Sequence, residues 1–324
     1  ASIRKDGSSR FGKANRYGVF PAFSAGWVLS KEDFLSSSDV ISLLKLRASW
    51  GKTGNAEIGN FASRDLWNAA SYKQLPAIEP AQPESPNLTW EKSSQTDIGL
   101  DFGVFNNRVS GEIDFYNKKT NGLLFYQNIP YTSGYSNIYR NIGDMKNTGF
   151  EMVINTQNIK KDNFTWDTNF NVAKNNNEIT ALPDDNRDQI IGNVIRRVGE
   201  RLDSFYLVEY AGVDPNNGDA LFYKNTLNPD GTLDKTKTND YSEAQRIIAG
   251  SSTPDWIAGL TNTVEYKNFD FSFTFYGEFG GHLYNSAGKF MSASASNGYD
   301  NQTVDQMNRW QNPGDITNVP QARL

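Results

Sequence analysis

Four carboxylates in the first half of the sequence are of the type that glycosidases use in pairs. They are Asp97, Asp101, Glu112 and Asp114. One acid of such a pair protonates the leaving oxygen, while the other acts as base or nucleophile. Their alternate spacing places all four on one face of two neighbouring strands, because successive side chains of a strand point to opposite sides. The spacing therefore favours a row of solvated carboxylates over a catalytic pair.

The cysteine and histidine content of the chain limits the other kinds of catalytic or metal site that it could form. The sequence has no cysteine, which removes disulfides, thiolate zinc sites and cysteine nucleophiles. It has a single histidine, His282, so a multi-histidine metal site or a Ser-His-Asp triad would have to be built around that residue. An isolated histidine in a polar loop is usually a solvated side chain.

Two short motifs resemble known ligand-binding loops without completing them. Gly51–Thr53 (GKT) matches the end of a phosphate-binding loop, but Leu46 stands where that motif requires its first glycine. Asp214–Asp219 (DPNNGD) resembles a calcium loop, but its glycine is out of register and no bidentate glutamate follows at the required distance. A turn is the better interpretation of that stretch. We therefore predict no catalytic residue, no metal site, no cofactor and no enzymatic activity.

Aromatic residues are the more promising binding groups, since they make up 13% of the chain. Those in the predicted loops could stack on sugar rings or pack against a partner protein, because large amphipathic rings are favoured at binding surfaces. The alternative is that the loops pack on themselves. The net charge of -5, with both signs mixed along the chain, argues against a nucleic-acid partner. The candidate substrate-contacting or partner-contacting residues are Trp67, Tyr72, Tyr131, Tyr135, Tyr139, Tyr284 and Trp310.

The stretch that most constrains the placement of these residues is FDFSFTFYGEF, residues 269–279. Strict alternation of aromatic and polar side chains is typical of a β-strand whose two faces meet different media. A soluble sandwich would turn the aromatic face into a protein core, whereas a membrane barrel would turn it toward lipid and the polar face toward a water-filled lumen. In the barrel the lipid-facing residues are Phe269, Phe271, Phe273, Phe275 and Phe279.

Similar alternation recurs along the chain and gives ten candidate strands, including a short hairpin of Phe205–Val213 and Ala220–Tyr223. Long connections alternate with tight turns, as in an up-and-down barrel whose long loops gather on one rim. Several strands exceed the ~5–6 residues typical of globular proteins and match the ~9–11 residues that cross a bilayer. We therefore predict an all-β, antiparallel, up-and-down transmembrane β-barrel.

The barrel is expected to be partial. Unpaired backbone groups at a strand edge in lipid cost several kcal/mol each, so a barrel must close. The sequence begins at a strand and finishes in a loop. We expect it to be an internal portion of a longer barrel.

Several segments resemble one known family in sequence and in order. Residues 4–12 (RKDGSSRFG), 44–55 (LKLRASWGKTGN), 114–120 (DFYNKKT) and 147–151 (NTGFE) are similar to segments of the SusC/RagA family of TonB-dependent outer-membrane transporters. The resemblance extends over nearly the whole chain. It rests on strand and turn segments, so it does not identify a substrate.

The resemblance implies a large plugged barrel of 22 strands, of which residues 1–324 would be one portion. The family's plug and N-terminal domains have no counterpart in this sequence. Members import oligosaccharides or peptides through the outer membrane of Gram-negative bacteria, with energy from the TonB complex and usually beneath a SusD-like surface lipoprotein. The implied partners are therefore that lipoprotein, the TonB complex, outer-membrane lipid and the substrate. The alternative function is a soluble or surface β-rich carbohydrate-binding or adhesive domain.

Overall fold

The computed structural model describes residues 1–293 and 301–322, which are mostly β-strands. Among these residues no helix is long and apolar enough to cross a membrane. In chain order the strands are β1 (Ser2–Gly7), β2 (Tyr17–Val28), β3 (Ile41–Asn55), β4 (Leu66–Tyr72), β5 (Leu75–Gln82), β6 (Glu91–Val104), β7 (Val109–Asn121), β8 (Leu124–Asn128), β9 (Asn137–Asn141), β10 (Asp144–Lys161), β11 (Phe164–Ala181), β12 (Gln189–Ile191), β13 (Val194–Arg196), β14 (Ser204–Val208), β15 (Tyr210–Val213), β16 (Ala220–Tyr223), β17 (Lys237–Thr238), β18 (Arg246–Ile248), β19 (Trp256–Tyr266) and β20 (Phe269–Phe279).

The helices in the described part of the chain are single turns or little more. Two are α-helical, Pro183–Asn186 and Gly288–Met291. The others are 3-10 helices at Leu29–Lys31, Tyr131–Ser133, Tyr241–Glu243 and Val304–Asn308.

The chain divides into two compact units. Unit 1 comprises Ala1–Asp188, Arg197–Leu202 and Pro254–Gly280. Unit 2 comprises Gln189–Arg196, Asp203–Thr253 and Gly281–Leu324.

Unit 1 is organised around one sheet of nine strands in the order β1-β2-β3-β6-β7-β10-β11-β19-β20. All neighbouring pairs are antiparallel, and each strand pairs with the sheet strands that precede and follow it in the chain. Such a sheet meanders up and down without a crossover. The antiparallel up-and-down arrangement predicted from the alternating pattern is therefore confirmed.

One face of this sheet is apolar across all the long strands, because the register places the apolar residues of each strand opposite those of the next. The predicted phenylalanines of β20 lie on this face, and their exposed fractions run from 37% at Phe273 to 78% at Phe269. We call this side the aromatic face. Two rows of paired residues that cross it are Phe275, Leu260, Phe170 and Ile154, and then Ile113, Leu100, Leu46 and Trp27.

A chain of hydrogen bonds interrupts the aromatic face, which the alternation alone predicts to be apolar. The Thr156 hydroxyl donates to Asn158 Oδ1 (2.9 Å), and Asn158 Nδ2 donates to Thr168 Oγ1 (2.7 Å). The Thr168 hydroxyl (2.7 Å) and Trp166 Nε1 (2.9 Å) both donate to Asn262 Oδ1. Asn158 occupies a β-bulge of β10, and a bulge re-aims its side chain and disrupts the ladder locally. These polar groups thus satisfy one another across three strands.

The connections between the nine strands differ at the two ends of the sheet. One end, here the long rim, carries the connections 8–16, 56–90 and 122–143. The connection 182–255 leaves and rejoins the sheet at this end, and most of its residues belong to unit 2. The opposite end, the short rim, carries 29–40, 105–108, 162–163 and 267–268. The first connections of the two rims, 8–16 and 29–40, are of similar length. After β3, long connections alternate with tight turns, as predicted.

The first two connections of the long rim fold together rather than extending as free loops. Phe11, Phe20 and Trp90 are buried. The Trp90 ring centroid lies 5.4 Å from that of Phe11 and 5.4 Å from that of Phe20. Trp90 Nε1 also donates to the carbonyl of Arg16 (3.3 Å). Ile58, Ala62 and Leu88 complete this cluster, which fixes the connections 8–16 and 56–90 against β2.

Two connections expected as irregular loops contain hairpins. Within 56–90, β4 pairs with β5, and within 122–143, β8 pairs with β9. Both are separate two-stranded sheets. The side chains of these two connections are therefore held on regular strands rather than on irregular loops.

Unit 2 consists of short strands in two small sheets, with orders β12-β13-β14-β18 and β15-β16-β17. The predicted hairpin partner Ala220–Tyr223 is β16, but the predicted strand Phe205–Val213 is divided into β14 and β15, which belong to different sheets. A bulge between Tyr210 and Gly212, with Gly212 at φ 102°, accompanies this division. The prediction of ten strands in one barrel wall was therefore too high, since this hairpin lies outside the nine-stranded sheet.

Candidate functional site

The face of the nine-stranded sheet opposite the aromatic face is polar and carries a network of charged side chains. Arg47 on β3 reaches across two strands, with its Nε 2.5 Å from Asp101 Oδ1 and its Nη2 3.0 Å from Asp114 Oδ2. Lys45 Nζ also lies 3.2 Å from Asp101 Oδ2, and Glu112 is 3.6 Å from Arg47. Two cations thus hold three carboxylates that would otherwise repel one another. This network joins β3, β6 and β7 on what we call the polar face.

All four carboxylates that resemble glycosidase acids lie on the polar face. Asp101, Glu112 and Asp114 contact Arg47. The fourth, Asp97, accepts hydrogen bonds from the Ser49 hydroxyl (3.2 Å) and from the Gln95 amide (2.9 Å). Each predicted acid therefore lies on the polar face with hydrogen-bonding or charged neighbours, as the spacing favours.

The predicted aromatic residues of the connection 56–90 lie on its hairpin. Trp67 is on β4, and Tyr72 is at the end of β4 beside the hairpin turn with 69% of its surface exposed. Lys73 Nζ lies 5.8 Å from the Tyr72 ring centroid. Both rings are exposed at the long rim rather than buried by the loop.

The three predicted tyrosines of the connection 122–143 differ in exposure. Tyr131 in the 3-10 helix is 82% exposed, whereas Tyr135 and Tyr139 are half-buried. The Tyr139 ring contacts the Tyr126 ring at a tilt of 39°, with centroids 3.6 Å apart, and packs against the buried cluster of the long rim. Burial and a hydrogen bond with Tyr126 raise the pKa of Tyr139 to about 12. Tyr139 therefore anchors the β8–β9 hairpin, and Tyr126 is the exposed member of the pair that the sequence did not single out.

A cleft of about 330 Å³ lies between residues 84–88 and β9 at the long rim. Its apolar lining comes from the buried Leu88 and Ile138. Glu84 and Arg140 supply charges to its lining. Sequence reasoning missed this cleft because the chain up to Pro86 and the residues of β9 were assigned to loops, and neither 124–128 (LFYQN) nor 137–141 (NIYRN) alternates strictly between apolar and polar residues.

Hydrogen bonds fix the two walls of the cleft to one another. The Ser85 hydroxyl donates to the carbonyl of Tyr139 (2.8 Å). The Asn141 side chain accepts from the Thr89 amide (2.7 Å) and donates to the carbonyls of Thr89 (2.7 Å) and Gly122 (2.9 Å). A cleft held in this way is largely formed before any ligand arrives, as small-molecule sites usually are.

The two predicted aromatic residues in unit 2 have different surroundings. The Tyr284 ring lies 6.3 Å from the Phe205 ring. Trp310 Nε1 donates to the carbonyl of Pro215 (3.0 Å), and its indole covers Gly218 so closely that a Cβ there would lie 2.4 Å from the ring. Trp310 is thus half-buried by packing within unit 2.

A second group of aromatic rings in unit 2 was not predicted. Phe222 on β16 lies edge-on to Tyr241 with centroids 5.2 Å apart, and to Tyr210 with centroids 6.1 Å apart. Both tyrosines are exposed. The Tyr210 hydroxyl donates to the carbonyl of Asn318 (2.9 Å). Sheet pairing brings Tyr210 and Phe222 together, and the 3-10 helix Tyr241–Glu243 adds the third ring, from positions that show no common spacing in the sequence.

The incomplete ligand-binding motifs form ordinary strand and turn structure. Gly51–Thr53 lies within β3, which is extended and not a phosphate loop. Asp214–Asp219 forms the turn between β15 and β16, with Asp214 Oδ1 accepting from the Asn216 amide (2.9 Å). His282 covers Gly250, and its amide donates to the carbonyl of Ser251 (2.8 Å). Among the described residues, no group of three or more His, Cys, Asp or Glu could hold a metal ion.

Comparisons with known proteins agree in family and in fold. A family model described as TonB dependent receptor-like, beta-barrel matches residues 1–306. TonB-dependent receptor P3 of Formosa agariphila is 35% identical over 342 residues, covering 100% of this chain and 34% of that protein. TonB-dependent receptor SusC of Bacteroides thetaiotaomicron is 36% identical over 308 residues, covering 87% of this chain and 30% of that protein.

The solved structures that resemble this chain extend the same comparison to three dimensions. A structure of the RagAB peptide transporter aligns with a TM-score of 0.90 and 31% identity, over 99% of this chain and 36% of the other. A structure of the RagAB peptide importer in the 'open-open' state aligns with a TM-score of 0.86. The chain thus spans about a third of the length of the relatives and structures it matches.

Proposed function

Since this chain belongs to the TonB dependent receptor-like β-barrel family, we propose that it forms part of the wall of an outer-membrane barrel that imports oligosaccharides or peptides. Energy for import would come from the TonB complex, engaged by parts of the protein outside this sequence. The observation that carries the proposal is the nine-stranded up-and-down sheet with one largely apolar face and one charged, hydrogen-bonding face. Such a sheet separates lipid from an aqueous lumen.

The aromatic face is the side that we assign to lipid. Phe269, Phe271, Phe273, Phe275 and Phe279 would contact acyl chains of the outer membrane. Large exposed apolar patches on a protein surface generally mark a membrane or an interaction site. The soluble carbohydrate-binding or adhesive alternative requires a protein layer over this face, whereas the phenylalanines of β20 are 37–78% exposed, which is why we do not favour it.

The polar face is the side that we assign to the transport path. Arg47, with Asp101 and Asp114, holds the strands of the wall together while leaving hydrogen-bonding groups toward the lumen. A hydrated wall lets a polar nutrient pass without burying its polar groups in an apolar surface.

The long rim is the side that we assign to substrate and partner contacts. Exposed rings there would stack on a nutrient or pack against a SusD-like surface lipoprotein. The predicted aromatic residues of these connections are Trp67, Tyr72, Tyr131, Tyr135 and Tyr139. For Tyr284 and Trp310, which lie in unit 2, we propose the same kind of contact independently of the long rim.

The test uses the full-length protein in its native host. A strain lacking the gene should lose growth on one oligosaccharide or peptide source, and the intact gene should restore it only when TonB is functional. Membrane fractionation should place the full-length protein with outer-membrane markers, and mild detergent should co-purify a surface lipoprotein. Unchanged growth on every such source, or recovery of the protein in a detergent-free soluble fraction, would contradict the proposal.

A further inference from the structure

We propose that the cleft between residues 84–88 and β9 binds the carboxylate end of a short peptide, with Arg140 as the anion-binding group. This inference rests on the proposed import function and names the substrate class for one subsite of it. Arg140 is exposed, and its Nη1 donates to Gln127 Oε1 (3.1 Å), but among the described residues it has no carboxylate partner.

An arginine without an ion-pair partner has N–H donors available for a bound anion. A guanidinium carries five N–H donors in a rigid fork that matches a carboxylate in a bidentate manner. The bond to Gln127 uses one of them. The remaining donors suit an anionic group bound in the cleft.

The apolar lining favours an aliphatic side chain beside that carboxylate. Leu88 is 1% exposed and Ile138 is 9% exposed, so both form a firm apolar surface fixed by the surrounding packing. None of the described residues that line the cleft is aromatic. Because sugar rings are typically held by stacking on aromatic rings, this lining favours a peptide over an oligosaccharide.

Glu84 adds the complementary charge. Its backbone amide is bound to Asp65 Oδ1 (2.8 Å), whereas its carboxylate has no partner among the described residues. The same small cleft therefore offers a cation and an anion around an apolar surface. A short peptide carries the matching set of a carboxylate, an ammonium group and apolar side chains.

The rigidity of the cleft supports a binding role for it. Ser85 and Asn141 tie its walls together through side-chain hydrogen bonds to the other wall. Tyr139 on β9 contacts the Tyr126 ring and packs against the buried cluster, which holds the hairpin in place. Ordering of the walls therefore adds little to the cost of binding.

The test compares Arg140→Gln with a matched control in the purified full-length protein. The control is Arg64→Gln, since Arg64 is an exposed arginine in the same connection as Glu84 and stacks over Phe61 outside the cleft. The probes are the tripeptide Ala-Ala-Leu, its C-terminal amide, and a trisaccharide of glucuronic acid, each titrated by calorimetry. Arg140→Lys serves as a variant that keeps the charge and checks that the fold is retained.

The wild-type protein and Arg64→Gln should bind the free acid roughly tenfold or more tightly than the amide, because a hydrogen bond to a charged group has about that effect. Arg140→Gln should remove this preference, and Arg140→Lys should restore part of it. The proposal is overturned if the wild-type protein does not bind the free acid, or if Arg140→Gln and Arg64→Gln behave alike. It is also overturned if Arg140→Gln weakens binding of the uronate and not of the peptide.

Uptake in the gene-deletion strain separates failure of this subsite from failure of the import function. If TonB-dependent uptake of a peptide or glycan occurs with Arg140→Gln at the rate and selectivity of the wild-type protein, the subsite is wrong and the import function stands. If no variant, the wild type included, supports any uptake, the import function itself is wrong.

Discussion

At the scale of single residues, Phe273 tests which medium covers the aromatic face. It lies midway along β20, pairs with Asn262 and contacts the rings of Phe271 and Phe275. A lysine at a lipid-facing site near the bilayer midplane costs about 2–4 kcal/mol. We expect Phe273→Lys to destabilise the full-length protein by that amount, measured by urea unfolding in lipid vesicles.

The neighbouring residue provides the control. Thr274 points to the polar face, where its hydroxyl lies 2.9 Å from that of Thr261. Thr274→Lys should therefore cost much less, and Phe273→Leu should separate loss of ring packing from insertion of charge. Equal losses for both lysine variants would contradict the assignment of the two faces.

Tyr139 gives a second residue-scale prediction, which concerns pH. Its pKa is raised from 10.0 to about 12, so the hairpin favours the neutral phenol. The stability that this contributes is complete below pH 10 and is lost as the pH rises through about 12, because ionisation is easier in the unfolded state. Ultraviolet absorbance of tyrosinate should show a late titration that Tyr139→Phe removes. Tyr131→Phe should leave that late component in place.

At the scale of elements, Arg47 tests how the wall strands are held together. Its contacts with Asp101 and Asp114 join three strands, and its side chain is 33% exposed. Removing one partner of a partly buried network leaves carboxylates unpaired, which for a fully buried pair costs about 3–5 kcal/mol. Because these groups are partly hydrated, we expect Arg47→Met to cost about 1–3 kcal/mol in the same unfolding measurement.

Lys45 is the matched control for that prediction. Among the described residues its ion-pair partner is Asp101, and Asp101 keeps Arg47 when Lys45 is replaced. Lys45→Met should therefore destabilise the protein by ~1 kcal/mol or less. A larger effect of Lys45→Met than of Arg47→Met would show that Arg47 is not the centre of the network.

The sequence predicted most of the long elements because each has its own signal. Phenylalanine alternation in 269–279 and the tight turn at 105–108 appear in the structure with little change. The hairpins β4–β5 and β8–β9 were missed because glycine, proline and polar residues in those connections are typical of loops. Phe205–Val213 was predicted as one strand, and the bulge at Gly212 was not visible in its pattern.

At the scale of the whole molecule, single cysteines can test the orientation of the two rims. The chain has no cysteine of its own, so in a cysteine-free full-length background each introduced thiol reports one site. Tyr72→Cys lies at the long rim and Lys267→Cys in a turn of the short rim. Outer-membrane barrels place long loops outside the cell and short turns in the periplasm.

We therefore expect a membrane-impermeant maleimide to label Tyr72→Cys in intact cells. Lys267→Cys should react only after the outer membrane is made permeable. Labelling of Lys267→Cys alone in intact cells would reverse the proposed orientation. Equal labelling of both would contradict the separation of the two rims by a membrane.

Local patterns in the amino-acid sequence are enough to assign the two faces of each long strand. Alternation with a period of two assigns each long strand its apolar and its polar face, since neighbouring side chains point to opposite sides of the backbone. The same local segments carried the family resemblance that the comparisons bear out. The polar position of Asp97, Asp101, Glu112 and Asp114 followed from spacing alone.

Which strands and connections contact one another is visible only in the folded structure. Thr168 bonds to Asn262, 94 positions away, and Arg47 to Asp114, 67 positions away. The Ser85 hydroxyl donates to the Tyr139 carbonyl and so joins the two walls of the cleft between residues 84–88 and β9. These contacts depend on strand register and on how the long connections fold, and a shift of one residue would turn a strand's side chains to the other face. The pattern within one strand cannot specify its partner's register, so the polar network and the cleft could be found only in three dimensions.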